Sequence, residues 1–84
     1  ASESLVVALI EKEDFELALE TTYNILNQDP LWEPAYRQQM TIFSEMNRQS
    51  MVKEVFERCQ ALFEERMGGP ISQSTRDLYH SLMQ

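Results

Sequence analysis

Between Met51 and Phe63 the apolar residues Met51, Val52, Val55, Phe56, Cys59, Leu62 and Phe63 recur at steps of one and three. That is the period of one face of an α-helix. The opposite face carries Lys53, Glu54, Glu57, Arg58 and Glu64, with Glu54 four residues ahead of Arg58 in the favourable orientation for an ion pair. A helix this apolar on one side must be covered by the rest of the chain, and the same periodicity predicts four more helices. Leu5, Val6, Leu9 and Ile10 make a short first one, closed by the polar run Glu11 to Asp14. Asp14 is placed to cap the second, whose inner side holds Phe15, Ala18, Leu19, Thr22, Tyr23 and Leu26. Asp29-Pro30 stops it, because the residue before a proline leaves the α region. The third begins near Leu31 or Trp32, tolerates Pro34 in its first turn, and buries Ala35, Tyr36, Met40, Phe43 and Met46. A turn at Asn47 leads into the long fourth helix, which Gly68-Gly69-Pro70 ends. Ser72 or Ser74 then caps a fifth, with Leu78, Tyr79, Leu82 and Met83 facing inward.

Helices joined by short turns become antiparallel neighbours. A shift of 34 residues, the tetratricopeptide period, pairs Leu9 with Phe43, Ala18 with Val52 and Thr22 with Phe56. The small residues on the second helix of each pair mark a close approach, although the Trp-Leu-Gly signature of the first helix is absent. The expected fold is all-α: a tetratricopeptide-like antiparallel helical repeat of two helix pairs plus a C-terminal capping helix.

Composition narrows the function. With 84 residues, 2 Gly and 3 Pro, the chain has the size of one small helical domain spanning residues 1–84. It starts at Ala1, with apolar periodicity beginning by Leu5, as expected of a piece of a larger protein. A single Cys59 excludes an internal disulfide and suits a reducing compartment; no apolar run approaches the roughly 20 residues that span a bilayer, so a cytoplasmic location is expected. The net charge is −7, with 7 basic residues scattered among 14 acidic ones, which argues against direct nucleic-acid binding by this chain.

A sharper signal lies at Asp29-Pro30-Leu31-Trp32-Glu33-Pro34-Ala35-Tyr36-Arg37-Gln38-Gln39-Met40. It resembles the bacterial transcriptional activator domain, whose members read approximately D-P-L-x-E-x-A-[HY]-R-x-L-M at this junction. Asp14-Phe15-Glu16-Leu17-Ala18-Leu19-Glu20, Val55-Phe56-Glu57-Arg58-Cys59, and Ser72 with Thr75-Arg76-Asp77-Leu78-Tyr79 are similar to three further segments of that domain, in order and at almost constant spacing. The departures are an extra residue in the Gly68–Ile71 loop, Gln39 in place of an apolar residue and Gln73 in place of a proline. In that family the domain follows a winged-helix DNA-binding domain, so the resemblance implies a regulatory and protein-interaction role. The implied partners are the DNA-binding domain, a second protomer in a homodimer, or the transcription machinery.

The residues themselves offer little chemistry. Asp77, His80 and Ser81 lie within one helical turn and do not converge on a pocket. His80 has no second ligand at metal spacing, Cys59 falls on the buried stripe, and Gly68-Gly69 lacks the rest of a phosphate-binding loop. The acidic run Glu11, Glu13, Asp14 lacks the alternation and central glycine of a calcium loop. No catalytic residue, metal or cofactor is therefore expected. Two binding candidates remain. The first helix of each pair lines the concave groove of such arrays, which here assigns Glu3, Val7, Arg37, Thr41 and Ser44, with Arg37 as the group able to grip a carboxylate. An intramolecular ion pair to a nearby Glu is the competing role for Arg37. Trp32 is the second candidate, as a binding hot spot; typical tryptophan burial instead places it in the core between the repeats. An alternative function, a stand-alone peptide-binding tetratricopeptide adaptor, would need more positive charge in the groove than Arg37 alone supplies.

Overall fold

The computed structural model describes residue 8 and residues 10–84. Leu5, Val6 and Leu9, on which the expected first helix mainly rests, lie outside the described residues, as do the candidate site residues Glu3 and Val7. What is described there is a helical end at Ile10 and Glu11, closed by the Lys12 N–H on the Ala8 carbonyl and by Glu13 at φ 60°. Four helices follow: α1 Phe15–Gln28, α2 Glu33–Glu45, α3 Gln49–Met67 and α4 Gln73–Leu82. Among the described residues all regular structure is helical.

Each boundary has a local cause. Asp29 ends α1 in an extended conformation, as the residue before Pro30 must. Pro34 sits in the first turn of α2, where its missing N–H leaves no bond unmade. Asn47, at φ 61°, turns the chain between α2 and α3 in the left-handed region that Asn tolerates better than most residues. Gly68 ends α3 at φ 69°, with its N–H on the Glu64 carbonyl.

The element α2 is central. It packs against α1, α3 and α4, and α4 also touches α3. The core combines Tyr36, Met40 and Phe43 of α2 with Val52, Val55, Phe56, Cys59 and Phe63 of α3, closed by Ile71 ahead of α4. Tyr36 and Phe63 meet edge to face with centroids 6.5 Å apart, and Phe56 stacks on Tyr79 of α4 at 3.9 Å. A smaller cluster joins Ala18 of α1 to Ile42 of α2, with Ile10 and Phe15 against it.

The repeat reading is visible in register. Helices α1 and α3 start thirty-four residues apart, and the paired positions Ala18 and Val52 are both completely buried. Helix α4 starts forty residues after α2, because α3 runs to 19 residues where α1 has 14 and the connection that follows it is one residue longer. Two inward assignments do not hold. Tyr23 is 47 % exposed, lying beyond Leu19 and Leu26 on the arc of α1 that faces water, and Met83 is 39 % exposed at the frayed end of α4.

Candidate functional site

The site region is the face of α2 that looks towards α4 and the helical end before α1. Glu33 opens α2, and Arg37 stands one turn later on the same side, so the two form an i, i+4 ion pair at 3.3 Å. The tertiary fold adds what local spacing does not. Ser72 and Thr75, at the start of α4, both donate their hydroxyls to Glu33 Oε2, the latter at 2.5 Å. The Ser72 N–H donates to Glu33 Oε1 at 3.3 Å, and Arg37 Nη1 also donates to Thr75 Oγ1 at 3.0 Å. Glu33 thus anchors the start of α4 from outside: Ser72 is the N-cap residue, but its hydroxyl is spent on Glu33 and makes no cap bond of its own.

The electrostatics follow from these donors. Burial alone would raise the Glu33 carboxyl, whose side chain is only 15 % exposed. The Ser72 and Thr75 hydroxyls, the Ser72 N–H and the Arg37 charge outweigh it and hold the carboxyl below its ordinary range. Behind the cluster, burial first and the Glu33 charge second push the Cys59 thiol up to about 12, against the opposing pull of Arg37. That is the setting of an inert core thiol.

Beside this cluster lies a cleft of about 360 Å³. Ile10, Pro34 and Leu78 form its apolar walls, and Glu11, Arg37, Gln38 and Thr41 supply the polar ones. Three elements therefore meet there: the helical end before α1, the first three turns of α2, and the middle of α4. Thr41 donates its hydroxyl to the Arg37 carbonyl at 3.0 Å, which leaves its oxygen available to a donor. Arg37 Nε and Nη2 make no hydrogen bond to a described residue, and the charge of the guanidinium is matched by Glu33.

Of the sequence-derived site residues, the structure brings Arg37 and Thr41 to the cleft. Ser44, half-buried two turns further along α2, does not line it, and its carbonyl accepts the Asn47 N–H. Trp32 is away from it too, and it is 42 % exposed where the burial habit of tryptophan placed it in the core. Leu31 takes the inward position instead, packed against the main core. Sequence reasoning missed Glu33, Ser72 and Thr75 as a unit, since their contact spans 39 to 42 residues and Ser72 reads locally as an ordinary N-cap. It also missed Gln39, which is buried on α2 and donates to Thr22 Oγ1 of α1 at 3.1 Å. Asp77, His80 and Ser81 are all exposed on α4, with Asp77 accepting a bond from Gln73 Nε2 at 2.8 Å. No described helix is long and apolar enough to cross a membrane.

With this geometry in place, comparison with known proteins gives one match: the family described as bacterial transcriptional activator domain, over residues 1–83. No curated protein matches, and no solved structure does.

Proposed function

The chain belongs to the bacterial transcriptional activator domain family, and from that membership we propose that it is the non-catalytic docking part of a cytoplasmic transcription regulator. Its partner is the regulator's own basic DNA-binding domain, ahead of a second protomer or the transcription machinery. The cleft between α2 and α4 receives an apolar side chain of that partner on Ile10, Pro34 and Leu78, while the Thr41 hydroxyl oxygen accepts from a donor beside it. The family membership carries this reading. The net charge of −7 supports a basic partner, because opposite fields raise the encounter rate and disfavour like-charged competitors. A peptide-adaptor role that clamps a terminal carboxylate has less support, since Glu33 already neutralises the cation such a clamp would use.

An Arg37→Glu substitution would set two carboxylates against each other at the α2–α4 contact, so it would disturb the fold along with the groove. Thr41→Arg is the cleaner probe: it fills the cleft one turn away from the cluster and adds a charge that repels a basic partner. In calorimetric titration with the DNA-binding domain of such a regulator, this variant should bind about tenfold more weakly, the loss of one central contact. Unchanged affinity removes the cleft from the docking surface.

A further inference from the structure

Trp32 is the only tryptophan, and its place in the fold is at odds with ordinary helix construction. It occupies the N-cap of α2, where Ser, Thr, Asp or Asn would bond the free N–H groups of the first turn, and its side chain makes no cap bond. Tyr36, Phe43, Phe56 and Phe63 are buried, whereas Trp32 is 42 % exposed. None of the described rings stacks on it. Its backbone, however, is held firmly. The Trp32 N–H donates to the Asp29 carbonyl at 3.1 Å, the Leu31 N–H donates to Asp29 Oδ1 at 3.3 Å, and Tyr36 Oη clamps the Pro30 carbonyl at 2.7 Å. An exposed aromatic on an immobilised turn binds with little ordering cost.

The charges around it select a partner. Asp29, exposed three residues earlier in the same turn, holds one carboxylate oxygen free of the Leu31 bond. Arg37, the next cation along α2, is committed to Glu33 and Thr75. A guanidinium fits this combination better than any other protein group, because it stacks on an indole face while donating in its own plane to a carboxylate. We propose that the Asp29–Trp32 turn is a docking point for an arginine side chain on a basic protein surface. The inference rests on the docking role proposed above and assigns it to a second surface, apart from the cleft.

The fluorescence of the one tryptophan reports the event directly. The probes are two synthetic octapeptides, one alternating Arg with Leu and one alternating Lys with Leu, titrated into the 84-residue chain. The Arg peptide should change the Trp32 emission and bind several-fold more tightly than the Lys peptide. Trp32→Leu, which keeps apolar bulk but removes the indole face, should weaken the Arg peptide about tenfold by calorimetry, with circular dichroism showing the variant folded. Trp32→Phe keeps an aromatic ring at the turn and should retain the preference for Arg over Lys if the Leu variant fails to fold. Equal affinity of wild type and Trp32→Leu, equal affinity for the two peptides, or no binding of either, overturns the proposal. Against the DNA-binding domain, loss in Thr41→Arg alone keeps the cleft and removes the turn; loss in Trp32→Leu alone does the reverse.

Discussion

Gln39 is a polar side chain at a position where neither its burial nor its neighbours favour one, and Thr22 explains it. The amide donates to the Thr22 hydroxyl, which in turn donates to the Leu19 carbonyl at 2.7 Å, so a short relay crosses from α2 to α1 with both side chains fully inside. Such a pair contributes little net stability when intact, because water would satisfy the same groups in the unfolded chain. Thr22→Val strands the buried Gln39 amide, at about 1–3 kcal/mol, whereas Gln39→Leu leaves the Thr22 hydroxyl on the Leu19 carbonyl. Thr22→Val should therefore destabilise the protein by roughly that amount and Gln39→Leu by less, while the double variant should lie within about 1 kcal/mol of wild type. Urea unfolding of the four proteins measures the coupling. Strict additivity of the two losses would mean that the bond has no energetic weight. The Trp32 position makes the opposite point: there an apolar residue stands where a polar one would serve the helix better.

At the scale of elements, α4 is the helix held from outside. Its N-terminus is anchored by Glu33 of α2 through Ser72 and Thr75, and its middle is fixed by Tyr79 stacked on Phe56. Since the Glu33 carboxyl lies below its ordinary value of 4.5 in the folded protein, the native state holds the proton less tightly than the unfolded chain. Its stabilisation is then complete above pH 4.5 and is lost as pH falls through the depressed folded value. Glu33→Gln should lower stability by about 1–2 kcal/mol at pH 7, roughly 4–8 °C in Tm per kcal/mol for a domain of this size. The gap between the two proteins should close on acidification below pH 4.5. Parallel melting curves from pH 7 down to about pH 3 would show that the cluster does not hold α4. The apolar stripe of α3, the stop at Gly68 and the breaks at Pro30 and Asn47 were all legible in the chain, because each depends on residues within a turn or two. The Glu54–Arg58 pair, at 3.1 Å, belongs to the same class. The cluster around Glu33 was not legible, since it requires knowing that α4 returns to the start of α2. Trp32 was misplaced because residue type predicts burial only on average, while the turn at Asp29 points Leu31 inward and the indole out.

For the whole molecule, one core shared by α2, α3 and the residues around Ile71 implies that it opens as a unit, and Cys59 is placed to report this. The thiol is completely buried in the middle of α3, and burial pushes its titration up to about 12, so it stays protonated at neutral pH. Reaction with a thiol reagent at pH 8 should proceed only through opening of the core, about 10³-fold or more slower than with a free thiol, following the small unfolded fraction of a stable domain. Because the Glu33 cluster lies on the same α2 that covers Cys59, Glu33→Gln should accelerate labelling by the factor its stability loss predicts, about tenfold for 1.4 kcal/mol. Docking partners act in the other direction, since a ligand that binds only the native fold protects the thiol in proportion to its occupancy. Fast labelling of the wild type, unaffected by urea below its unfolding transition, would show that α3 breathes locally. The four helices would then have to be treated as separately opening units, and the stabilities of α4 and the core measured apart.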